Sequence, residues 1–166
     1  MTIEAIHPTL DLVLERIVEL PPEAIWHAWT NPERLKEWFC PAPWRVVECE
    51  IDLRPGGLFR TVMRSPEGQE YPDEGGCYLE VVENQKLVWT DALRPGYRPV
   101  ARKEGEANPP FFFTGILLLE PHAQGTRYTA IARHGDAASA KQHAEMGFHE
   151  GWGIALDQLV ATAKKG

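Results

Sequence analysis

The chain has 166 residues, enough for one domain with a real core, and 43% of them are apolar, which excludes a disordered chain. Seventeen basic against 24 acidic residues give a formal net charge of -7. That balance argues against a nucleic-acid partner, whose phosphates demand basic surface, and against an anionic membrane.

The chain opens on MTIEAIHPTLD, which has neither a basic flank nor an apolar core, so no signal peptide is predicted. Leu10 to Leu20 partly alternates and is rich in Leu and Val, which predicts a first strand. Pro21-Pro22-Glu23 ends it and starts a helix, with proline tolerated in the first turn. Ala24, Ile25, Ala28 and Trp29 share one face of that helix. Thr30-Asn31-Pro32-Glu33 then breaks it and caps a second short helix, Glu33 to Phe39. Trp44 to Leu53 is a strand with Val47, Cys49, Ile51 and Leu53 on one side. Arg54 to Gly57 turns the chain into a strand from Leu58 to Arg64, which carries Phe59, Thr61 and Met63 on one face.

A polar hairpin loop, Ser65 to Gly75, leads to a strand from Cys77 to Val82. A turn at Asn84-Gln85 leads to another from Lys86 to Asp91. Leu93 to Pro110 is the loosest stretch, with four prolines and a basic patch of Arg94, Arg98, Arg102 and Lys103. So long a loop reads as a surface insertion or as a lid over a cavity mouth. Phe111 to Glu120 and Thr126 to His134 complete seven predicted strands. Hairpin-length connections imply an antiparallel sheet, and the order β, αα, six β, α predicts an α+β layer design in a single domain over 1–166.

Asp136 to Lys164 reads as one long amphipathic helix with Asp136 as N-cap. Phe148, Trp152, Ala155, Leu156, Leu159 and Ala163 fall on one arc. Lys141 and Glu145 lie in line with Phe148 and Trp152, and Gly147 and Gly151 sit mid-helix. An unpaired charge is costly to bury, so the N-terminal half of this face is predicted to border something polar or open.

No HExxH is present, no cysteine pair has ligand spacing, and His143, Met146 and His149 do not share a ridge, so no metal is expected. GxSxG, a P-loop and a strand-borne GxGxxG are absent, and no cofactor is expected. Cys40, Cys49 and Cys77 form an odd set without a CxxC and read as reduced thiols in a cytoplasmic protein. Trp38, Phe39, Phe59, Met63, Tyr78, Trp89, Phe113, Phe148 and Trp152 come from elements that must converge under the long helix. Together with Glu145 and His149 they are the predicted lining of a ligand cavity.

Four blocks carry a resemblance: PPEAIWHAWTNPERLKEWF (21–39), DLRPGGLFR (52–60), GCYLEVVENQKLVWTD (76–91) and MGFHEGWGIALDQL (146–159). Together they closely resemble the homologues of the activator of the ninety-kilodalton heat-shock-protein ATPase, within the START-like or SRPBCC superfamily. The resemblance implies a helix-grip fold, a curved antiparallel sheet around a long C-terminal helix with two short helices after strand one. Carriers, aromatic polyketide cyclases and chaperone-binding domains share that fold and no universal catalytic motif, so the resemblance implies no catalytic residue.

Three functions are therefore expected in this order. The first is binding of an apolar or aromatic small molecule, oriented by Glu145, His149 or Tyr78. The second is a cyclase or hydrolase type of enzyme with His149, Glu145 or Asp91 as base. The third is an interaction module with a chaperone as partner. A homodimer is compatible with each.

Overall fold

The computed structural model describes residues 5–101 and 111–165. Strand β1 (Asp11–Val18) is followed by helices α1 (Pro22–Thr30) and α2 (Pro32–Leu35). Pro22 fills the first turn of α1, and the Asn31 side chain caps α2 by accepting from the amides of Glu33 and Arg34. The second helix is thus shorter than its predicted span, and the chain from Lys36 runs on as turns. Strands β2 (Arg45–Ile51), β3 (Leu58–Arg64), β4 (Glu70–Pro72), β5 (Gly76–Val82) and β6 (Lys86–Thr90) follow. A small hairpin of β7 (Leu93–Arg94) and β8 (Arg98–Pro99) occupies the start of the predicted lid. Its remainder, 102–110, lies outside the described residues. Strands β9 (Phe113–His122) and β10 (Gly125–His134) complete the sheet.

The main sheet is antiparallel throughout, in the order β1-β10-β9-β6-β5-β3-β2, with β4 on β3. Bulges between Val46 and Glu48 in β2 and between Tyr78 and Glu80 in β5 add twist. The first bulge breaks the alternation of β2 at its start, so that Val46 is buried, whereas Leu53 is exposed because it lies beyond the strand's end at Ile51. The curled sheet grips the C-terminal helix in a helix-grip architecture. Its inner face presents Leu14, Leu87, Trp89, Leu117, Leu119, Tyr128 and Ala130 to the helices. Alternate residues Val88, Ile116 and Ile131 form a smaller cluster on the other face. Burial on both faces explains why β9 reads as an almost unbroken apolar run.

The predicted single C-terminal helix is two helices, α3 (Ala137–Glu145) and α4 (Phe148–Lys165). Asp136 caps α3 by accepting from the Ser139 amide at 2.7 Å. Between them Gly147 takes φ 93°, a left-handed conformation that stops α3 and re-aims the chain. Phe148, Ala155, Leu156 and Leu159 are the buried face of α4. The half-buried Gln158 side chain ties α4 to the segment after α2. Its Nε2 donates to the carbonyls of Trp38 at 3.0 Å and Cys40 at 2.8 Å, and its Oε1 accepts from the Ala42 amide at 2.9 Å.

The two glycines of this region differ in kind. Gly147 needs its positive φ, whereas Gly151 is helical and a Cβ there meets no atom within 4 Å. Gly147→Ala should therefore destabilise the protein by about 1 kcal/mol and Gly151→Ala should stabilise it by about 0.5–1 kcal/mol. Urea unfolding of the two variants should give opposite signs; equal signs would refute the helix break.

Candidate functional site

Between the inner face of the sheet and α4 lies a cavity of about 440 Å³. One wall is Trp29 of α1 with Trp38, Phe39, Cys40 and Pro41, the segment that Gln158 holds. The sheet contributes Met63, Trp89, Phe113 and Tyr128; α4 contributes Phe148, Gly151, Trp152 and Ala155. His143, Met146 and Gly147 close the end where α3 meets α4. Met146 is 69% exposed, so the cavity opens to solvent beside it. No lining residue is an Asp, Glu, Lys or Arg.

The rings form a connected set. Trp29 packs on Trp38 at 4.9 Å and on Trp89 at 5.2 Å between centroids, and Trp89 faces Trp152 at 6.5 Å and 14°. Gly115 makes the position of Trp89 attainable. It is the cross-strand partner of Trp89, and a Cβ there would lie 2.3 Å from the indole ring. Phe113 is fixed through its backbone: its amide donates to Asp91 Oδ1 at 2.9 Å, and its carbonyl accepts from the Thr90 hydroxyl at 3.2 Å.

Of the predicted lining, Trp38, Phe39, Met63, Trp89, Phe113, Phe148 and Trp152 come together around this cavity. Four residues do not line it. Phe59 and Tyr78 stack on each other at 5.3 Å behind Phe39 and Trp89, forming a second layer of rings. Glu145 is exposed beside Lys141 at 3.9 Å. His149 points away to β1, where its Nε2 meets the Val13 carbonyl at 3.1 Å. For Glu145 the break at Gly147 is the reason: a periodicity counted through it misplaces every residue on the α3 side relative to α4, whereas His149 belongs to α4 and sits on the edge of its face that turns to β1. Neither Tyr78, Glu145 nor His149 is placed to orient a cavity ligand. Asp91, a candidate base, is spent on holding Phe113.

The sequence reading missed His143, Trp29 and Tyr128 as lining. His143 is buried among Phe113, Phe148 and Trp152, with its Nδ1 2.9 Å from Nε2 of His134. His134 Nδ1 lies 2.9 Å from the Leu10 carbonyl. A carbonyl only accepts, so His134 carries its proton on Nδ1 and, when neutral, accepts at Nε2. His143 must then donate from Nδ1. Burial, together with His134, lowers the His143 pKa to about 4, so the His143 ring is neutral at pH 7. No short sequence motif marks this pair; the clue was two histidines flanking a helix cap.

The comparisons agree with this architecture. The family described as Activator of Hsp90 ATPase homolog 1-like protein matches residues 19–164. The chain belongs to this family. A crystal structure of a Nitrosomonas europaea protein is similar at a TM-score of 0.88 and 44% identity, over 96% of this chain and 97% of that one. A family member from Silicibacter pomeroyi is similar at 0.65 and 26%, over 92% and 96%. A solution structure from Arthrobacter aurescens, at 0.78 and 21% over 95% and 88%, shares the fold. No curated protein matches the chain.

A larger hollow of about 540 Å³ lies on the far side of Phe113, along Thr90, His134 and the start of α3. Its lining includes Arg133 and Asp136, whereas the site under α4 is lined by aromatic rings.

Two groups beside that site titrate in opposite senses. Burial raises Asp91 to about 6 from 3.8, so the native state holds its proton more tightly and stability from this group falls as pH rises through 4 to 6. His143, lowered from 6.5 to about 4, contributes stability that is complete above 6.5 and is lost as pH falls towards 4. Each effect is on the order of 2–3 kcal/mol, and over this range they offset. Asp91→Asn keeps an oxygen for the Phe113 amide and removes one effect. Its stability relative to the parent chain should grow between pH 4 and 7; a difference independent of pH would contradict the burial of Asp91.

Proposed function

We propose that this family member binds an uncharged aromatic or otherwise apolar small molecule in the cavity under α4. The observation that carries the reading is the lining: four tryptophans, three phenylalanines and two methionines from α1, the segment after α2, the sheet, the α3–α4 junction and α4, with no Asp, Glu, Lys or Arg among the described residues. Its volume of about 440 Å³ falls in the usual range for small-molecule sites, ~300–1,000 Å³. Apolar area removed from water drives binding at ~25 cal/mol per Å², whereas a ligand charge would find no partner there. The cytoplasm is the compartment that fits three free cysteines, two of them buried. No helix of the described residues is long and apolar enough to cross a membrane. A chaperone or a second copy of the chain is not required by this reading, because residues of one chain line the cavity.

Gly151 lines the cavity and has open space at its Cβ. Gly151→Phe should keep the fold and fill the site. Titration of 2-methoxynaphthalene by calorimetry should give saturable one-to-one binding to the parent chain and at least tenfold weaker binding to the variant. Native mass spectrometry of freshly purified protein should release a neutral aromatic compound from the parent chain alone. Equal binding by both proteins would place the ligand elsewhere and overturn the reading.

A further inference from the structure

The cavity's polar groups are few, and their chemistry is directional. His143 Nδ1 is taken by His134, and among the described residues Nε2 makes no hydrogen bond. With both imidazoles neutral, the chain of bonds from the Leu10 carbonyl orders the protons: His134 donates back to Leu10, His143 donates to His134, and His143 Nε2 is left as a lone pair. The second polar group is the Trp29 indole. Trp29 is 3% exposed and lines the cavity, yet its N–H has no hydrogen-bond partner. The Tyr128 hydroxyl is the polar neighbour of that N–H, so the indole is turned into the wall and not offered to a ligand. An unpartnered acceptor, without any cation among the described lining residues, describes a site for a neutral molecule that gives a hydrogen bond.

Building on the binding function above, we propose that the cavity selects aromatic alcohols, phenol-type molecules whose O–H donates to His143 Nε2. His143 is the specificity-determining residue and His134 a positioning residue that holds it in the accepting tautomer. Carboxylates are rejected, because a carboxylate brings acceptors to an acceptor and leaves its charge unpaired. An ether of the same shape fits the rings and forfeits the bond to His143.

Three probes of one shape test this by calorimetry at pH 7.5: 2-naphthol, 2-methoxynaphthalene and 2-naphthoate. In the parent chain the naphthol should bind about tenfold more tightly than the ether, and the naphthoate weakest of the three. His143→Phe places a ring among Phe111, Phe113 and Phe148 and removes the acceptor. There the naphthol-to-ether ratio should fall to about one while ether affinity stays within about twofold.

Should that variant fail to fold, nitrogen-15 NMR of the parent chain decides. Nε2 of His143 should be unprotonated in the free protein and shift on adding naphthol but not the ether. A protonated Nε2, a naphthol-to-ether ratio unchanged by the variant, or preferred binding of the naphthoate would each overturn the alcohol assignment. If the ether binds as expected while these tests fail, the binding function stands and only the assignment falls; if no probe binds, both fall.

Discussion

Three hydrogen bonds from one amide hold this structure's site open. Gln158 sits near the middle of α4 and pins the backbone of Trp38, Cys40 and Ala42. Leu156 and Leu159, to either side of that clamp, anchor the helix in the core; nearer its N-terminus, Gly151 and Trp152 stand over space. A site walled by apolar rings alone has every reason to collapse, since filling it would recover contact energy. It persists because each wall is fixed by polar bonds made outside it. The Trp38 segment is fixed by Gln158, Phe113 by Thr90 and Asp91, and the His143 end by the relay to Leu10. The hydrophobic effect supplies the material of the cavity, and directional bonds set its shape.

The same division explains what could be read from the sequence. Strands with clear alternation, the Pro22 helix start and the Asp136 cap are local features, and they are where the pattern puts them. The fold followed from them and from four family blocks. The helix break did not, because a mid-helix glycine and a left-handed one look alike in a sequence, and only the conformation at Gly147 separates them. That one residue moved Glu145 away from the cavity and brought His143 to it. Phe59 and Tyr78 were misassigned for another reason. Periodicity says that a ring faces inward but not whether it lies on the surface of a cavity or one layer behind it. The Trp89–Gly115 pairing was likewise invisible, because strand register is a property of two segments together.

The relay of two histidines shows how far a backbone can reach. A carbonyl on the approach to β1 dictates the protonation pattern of a ring at the cavity, through one intervening imidazole. Neither histidine contains that information alone. An isolated imidazole interconverts its tautomers freely, whereas this pair is ordered from its buried end.

The clustering of indoles has an optical consequence. The chain has six tryptophans, and Trp29, Trp38, Trp89 and Trp152 all border one cavity. Successive pairs stand 4.9, 5.2 and 6.5 Å apart between ring centroids. At such separations an absorbed ultraviolet photon does not stay on the ring that took it up. Excitation migrates through the group, and the four rings act as a single antenna. Four of the six tryptophans therefore report on the candidate site, and one absorbing molecule lodged there would darken them together.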